Sequence, residues 1–220
     1  MRIALIGMSG AGKSFWSAVL QRQGFEVFCC DDHIGKRLAA AGEIGDASLE
    51  HLGQWMGFPF EPDFTRREAR YLSLEKAIMD QLLSDLEARP DGAAAPNLVI
   101  DTTGSVVYTG DAIMQRLQRQ AVVIYLSPPA AHHVLLRRAY EENPRPVIWH
   151  GHFAKSDGET NPQALKRCYA NLLAERDKRY RRYAHLELQW KPAAGPTPSA
   201  DTLLAPVTAF LNKPDASRNV

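Results

Sequence analysis

Three cysteines in 220 residues, Cys29, Cys30 and Cys168, have no metal-ligand spacing, and the expected state is three reduced, largely buried thiols. An excess of one charge is also missing. Twenty-six Lys and Arg against 25 Asp and Glu leave a formal net charge of +1, which argues against a broad nucleic-acid or membrane surface, although a locally basic cleft stays open. No apolar run approaches the roughly 18 residues that a bilayer span needs. Met1 leads straight into the first apolar strand and leaves no room for a cleavable signal, so a cytoplasmic protein is expected. His132-His133 and the trio His150, His152 and His185 do not complete a metal set, because adjacent histidines diverge on a helix and no Cys or carboxylate joins them. Internal repeats are absent, and low complexity is confined to short Ala/Pro-rich loops. With 45% apolar and 23% charged residues, the chain is long enough for one sizeable core. A single α/β domain over residues 1–212, with a disordered tail at 213–220, is the expectation.

What is present near the N-terminus is Gly7-Met8-Ser9-Gly10-Ala11-Gly12-Lys13-Ser14, which fits Gly-x-x-x-x-Gly-Lys-Ser. The apolar run Arg2 to Ile6 before it reads as a buried strand, and Phe15 to Leu20 after it continues as a helix. That strand-loop-helix setting is what a phosphate-binding loop requires. Its glycines let successive N–H groups form a concave nest at the positive end of a helix. Gly7, Ser9, Gly10, Ala11, Gly12, Lys13, Ser14 and Phe15 are therefore the candidate nucleotide-binding set. Lys13 should reach the β/γ-phosphates of ATP, and the Ser14 hydroxyl should ligate Mg²⁺. A glycine-rich turn that binds nothing is the plain alternative.

Further along, Phe25 to Cys30 reads as a second strand leading into Asp31-Asp32, which places carboxylates at the ligand end of an α/β sheet. A helix from about Ile34 to Ala40, a short one over Leu49 to Met56, and a long one opened by a capping box at Thr65 to Glu68 form an insert over about 32–88. Leu98-Val99-Ile100-Asp101 is a third strand ending in an acid. Beside a P-loop, Asp101 suits the Mg²⁺ side better than the alternative role of a helix cap. Asp111 to Gln120 reads as a helix and Ala121 to Leu126 as a buried strand. A helix starting at Pro128-Pro129 carries Arg137 and Arg138, of which at least one should be a solvated face. Residues 143–160 then look like a mobile lid. Asn161-Pro162 supplies a cap and a first-turn proline for a helix through Arg176, followed by a last strand near Leu186 to Leu188 and a closing helix over Leu203 to Leu211.

The P-loop, the Asp31 to Arg37 segment, Arg145-Pro146-Val147-Ile148 and Ala174-Glu175-Arg176 through Ala184 together resemble the shikimate kinase family over roughly residues 1–190. The resemblance implies a three-layer P-loop kinase fold, with a five-stranded parallel sheet in the order 2-3-1-4-5, a substrate-binding insert and a lid. It also implies that Asp31 binds and orients the acceptor hydroxyl, Arg145 meets the ATP phosphates and Arg138 lies near adenine. Arg176 would pair with an acceptor anion, and Gly104 would belong to the substrate-binding turn after the third strand.

Departures from the family pattern bear on the substrate. Of two acids paired as Asp-x-Asp after the second strand, the first falls on Cys29, and Asp101 is expected to replace its charge near Mg²⁺. Aligning Glu75 with the acid of the insert helix puts Leu72 where the family has a second carboxylate-binding arginine. Arg70 is two positions off, about 200° around a helix. Losing one charge-assisted bond costs shikimate about ten- to a hundred-fold in affinity. Trp55, Phe58, Phe60 and Tyr71 could stack on an acceptor or simply pack the insert onto the sheet. The leading reading is an ATP- and Mg²⁺-dependent monomeric kinase acting on a hydroxyl of a small anionic metabolite other than shikimate. The alternatives are a genuine shikimate kinase and an ATP-binding switch without small-molecule kinase activity.

Overall fold

The computed structural model describes residues 1–88, 96–129, 132–142, 146–189 and 198–214. Five strands, β1 (Arg2–Ile6), β2 (Glu26–Cys29), β3 (Leu98–Asp101), β4 (Val122–Ser127) and β5 (Leu186–Gln189), pair in the order β2-β3-β1-β4-β5, every pair parallel. A parallel sheet covered on both faces needs continuous apolar runs rather than alternation. Ile3 to Ile6 and Val122 to Leu126 are such runs, and all nine residues are buried. The register aligns Leu5 with Asp101 and Asp101 with Cys29, so the C-terminal ends of β1, β3 and β2 finish level. The crevice beyond those ends is where an open α/β sheet holds ligands.

Helix α1 (Lys13–Gln21) follows β1 and ends before Gly24, whose φ of +85° suits a residue without Cβ. Helix α2 (Cys30–Ala40) begins four residues earlier than the expected Ile34. Asp31 and Asp32 therefore lie in its first turn, where two carboxylates complement the helix dipole, and not on a strand end. Helix α3 (Leu49–Met56) is capped by Ser48. Helix α4 (Phe64–Ala88) starts ahead of Thr65, which leaves Thr65 inside the helix and removes the expected capping box. Tyr71, Leu74, Ile78, Leu82 and Leu86 all lie on its buried face, as their spacing requires. Arg116, on α5 (Asp111–Gln120), ties that helix to α4 through Asp80, Ser84 and Glu87.

Helix α6 (His133–Glu142) starts after the two prolines rather than at them. Helix α7 (Asn161–Tyr183) is capped by Thr160, not by Asn161, because Gln163 lies three residues on and returns the bond to the Thr160 N–H. Helix α8 (Asp201–Leu211) closes against β5. Between α6 and α7, Val147, Ile148 and Trp149 are buried, and the Trp149 ring packs against Tyr140, Phe153 and Tyr169. The Glu68 carboxylate on α4 accepts the N–H of Trp149 and, at 2.9 Å, that of His150. Segment 146–150 is thus fastened to α4. Arg145 and the tail from 215 lie outside the described residues.

Candidate active site

The loop after β1 is shaped by glycines that nothing else could replace. A Cβ on Gly7 would meet the Leu126 carbonyl oxygen at 2.8 Å, and Gly12 caps α1 at a φ of +94°. Lys13 folds back over the loop, donating from Nζ to the carbonyls of Gly7 at 3.0 Å and Met8 at 3.1 Å. Burial lowers its pKa, while Asp101 and Asp31 act in the opposite direction. Both acids therefore sit within electrostatic reach of the same ammonium.

Asp101 is 4% exposed. Burial raises its pKa against the Lys13 charge and the hydroxyls of Ser14 and Ser17. Its register partner Cys29 is pushed up to about 12 by burial and so carries no charge at neutral pH. The carboxylate at this level of the sheet is therefore on β3 and not on β2. Among the described residues no group of three or more His, Cys, Asp or Glu side chains gathers as a metal site.

The other acid within reach of Lys13, Asp31, accepts the Tyr71 hydroxyl at 2.6 Å. Burial raises the Asp31 pKa, with Tyr71 and Lys13 opposing. Glu75, fully buried one turn beyond Tyr71, accepts hydroxyls from Thr103 and, at 2.6 Å, Ser105. Burial outweighs both bonds and pushes its carboxyl up to about 7. Gly104 sits between those hydroxyls in a tight place: a Cβ there would come within 3.1 Å of the Ser9 nitrogen and 3.3 Å of Arg176 Nη1.

Arg176 is 1% exposed, donates to the Ile148 carbonyl, touches Met8 Sδ at 3.5 Å and lies over the Tyr108 ring at 5.2 Å. Among the described residues no carboxylate comes within ion-pair distance of it, and its buried Nε has no partner. A buried guanidinium left in this state is a standing invitation to an anion. A cavity of about 320 Å³ lies over Ser9, Gly10 and Ala11, roofed by Leu136, Tyr140 and Val147.

No protein-family model matches the chain, and no curated protein does. Solved structures do. A shikimate kinase from Acinetobacter baumannii, determined in complex with shikimate, superposes with a TM-score of 0.59 at 20% identity, covering 100% of this chain and 94% of its own. The shikimate kinase from Bacteroides thetaiotaomicron gives 0.60 at 17% identity, covering 97% and 99%.

The fold is a shikimate kinase-like P-loop fold.

Within that shikimate kinase-like frame, Asp101, Asp31 and Arg176 lie within electrostatic reach of Lys13, and Gly104 lies against Ser9 and Arg176. Arg138 is exposed on α6, and Arg137 is held by Glu141 at 2.6 Å. Leu72 packs half-buried against the core, and Arg70 pairs with Glu43 at 2.9 Å on the surface, so neither supplies a second cation here. The hydrogen bonds of Tyr71 to Asp31 and of Thr103 and Ser105 to Glu75 escaped the sequence, as did that of Tyr180, whose hydroxyl donates to the Gly104 carbonyl at 2.5 Å. In the sequence, Tyr71 stood out only as one of the aromatics of the insert.

Proposed function

We propose that the protein is an ATP-dependent phosphotransferase that moves the γ-phosphoryl group to a hydroxyl of a small anionic metabolite related to shikimate in size. The observation that carries this reading is the flanking of Lys13 by two acids with different surroundings, Asp101 beside Ser14 and Ser17, and Asp31 beside Tyr71. Phosphoryl transfer asks a protein for positioning and charge more than for covalent chemistry. The P-loop amides and Lys13 would hold the phosphates. Asp31 would orient the acceptor hydroxyl, Arg176 would hold the acceptor's anionic end, and Arg145 would approach the transferring group.

The donor set at Ser14 and Asp101 fits Mg²⁺, since a hydroxyl and one carboxylate suit a hard cation that keeps several waters. When bound with the nucleotide, Mg²⁺ would neutralise charge on the β- and γ-phosphates. Leu72 and the engaged Arg70 favour an acceptor other than shikimate, because neither brings a second guanidinium from α4 to the side of Arg176. A cytoplasmic monomer acting on a small molecule rather than nucleic acid is the setting this reading implies. No described helix is long and apolar enough to cross a membrane.

The test is ATP turnover with a panel of hydroxy acids that includes shikimate, run on the unaltered protein and on Lys13→Ala and Asp31→Asn. Loss of phosphorylated product in both variants supports the reading. Undiminished transfer in both would sink it, and efficient turnover of shikimate would restore the plain shikimate kinase.

A further inference from the structure

Asp31 has two carboxylate oxygens, and the chain itself engages one of them. Tyr71 donates to Oδ1 from a position on the buried face of α4 where it is only 1% exposed. Burial, then the charges of Asp31 and Glu75, hold the phenol well above its ordinary pKa, so it remains a donor at any working pH. The neighbouring acid is closed in the same manner, each Glu75 oxygen holding one hydroxyl, from Thr103 and Ser105. Arg176, by contrast, has an unpartnered buried Nε and no carboxylate within ion-pair distance among the described residues.

A free carboxylate can take two vicinal hydroxyls at once, one on each oxygen. Here a second acceptor hydroxyl would have to share Oδ1 with Tyr71. We infer, on the kinase reading above, that Tyr71 is a specificity-determining residue which fills the place of a second hydroxyl at Asp31. The acceptor class is then a small hydroxy acid that offers Asp31 one hydroxyl, not a vicinal diol.

The experiment is calorimetric binding of two acids to the ADP-loaded protein: 3-hydroxycyclohexane-1-carboxylate and cis-3,4-dihydroxycyclohexane-1-carboxylate. They differ by one vicinal hydroxyl. The unaltered protein should favour the monohydroxy acid by about ten- to a hundred-fold, the range in which a pocket rejects a hydroxyl it cannot satisfy. Tyr71→Phe frees Oδ1 and should narrow that ratio by about ten-fold, chiefly through tighter binding of the diol. A packing defect alone would weaken both acids alike and leave the ratio unchanged, and that result overturns the inference. So does equal binding of the two acids, or binding of neither, by the unaltered protein. Replacing ADP by ATP and assaying for phosphorylated acid separates the two layers. The stated selectivity without product would remove the kinase reading and keep the recognition by Asp31 and Tyr71.

Discussion

On the proposed reading, the phosphate side of the crevice is drawn from eight consecutive residues, whereas the acceptor side is drawn from α2, α4, the turn after β3, segment 146–150 and α7. On the phosphate side the backbone is the instrument, with glycines permitting the loop and carbonyls of Gly7 and Met8 receiving Lys13. On the acceptor side the instruments are side chains: Tyr71 held by Asp31, Glu75 by Thr103 and Ser105, and Arg176 by the Ile148 carbonyl and the Met8 sulfur. A backbone site tolerates change around it. A side-chain site can be rebuilt one residue at a time, which is how a fold keeps its donor and changes its acceptor.

Four measurements would break or sharpen that contrast. The largest effect is expected for Lys13→Ala, which should lower kcat/KM for phosphoryl transfer by about 10²- to 10³-fold whichever acceptor is used. Steady-state kinetics against two different acceptors checks it, and a loss confined to one of them would show Lys13 belonging to the acceptor side.

Glu75 comes next. Its folded pKa lies above the ordinary carboxylate value, rising from 4.5 to about 7, so the folded state holds the proton more tightly than the unfolded chain. Its contribution to stability is fully present below about pH 4.5 and is lost as pH rises through about 7, on the order of 3 kcal/mol in total. Urea unfolding of the unaltered protein and of Glu75→Gln between pH 4.5 and 8 isolates this slope, because Asp31 and Asp101 slope the same way in both proteins. Equal slopes in the two proteins would mean that Glu75 titrates as an ordinary surface acid.

Arg176→Met should raise the acceptor KM by about ten- to a hundred-fold and leave the KM for ATP within about two-fold. Parallel losses on both substrates would erase the division between the two sides. The smallest effect lies outside both. Thr160→Ala should cost about 1 kcal/mol through the α7 cap, or roughly 2–4 °C in Tm, while Asn161→Ala should cost much less. Thermal melts of the pair decide which residue caps the helix.

Much of the architecture was legible because each element carries a local signal: buried runs for β1 and β4, glycines for the P-loop, a repeating apolar face on α4. The displaced boundaries were set by first-turn and capping residues whose effect on a helix start a hydrophobic pattern does not show. Cys30 joined α2 because the two aspartates behind it favour a first turn, and Thr160 displaced Asn161 because Gln163 answers it. Around the crevice, Lys13, Asp31, Asp101 and Arg176 could each be named as a candidate from the sequence. The pairing of Tyr71 with Asp31 across 40 residues, and of Glu75 with Thr103 across 28, leaves no trace in spacing, since neither pair shares an element.

Cys29 and Asp101 are register partners on adjacent strands, and neighbouring strands lie about 5 Å apart. A column-by-column comparison asks which residue ends β2 and returns a neutral thiol. A comparison by position in space asks what lies at that level of the sheet and returns a carboxylate one strand to the side. Where two ladders finish level, a carboxylate can stand one strand to the side of a thiol while hardly changing its place in the molecule.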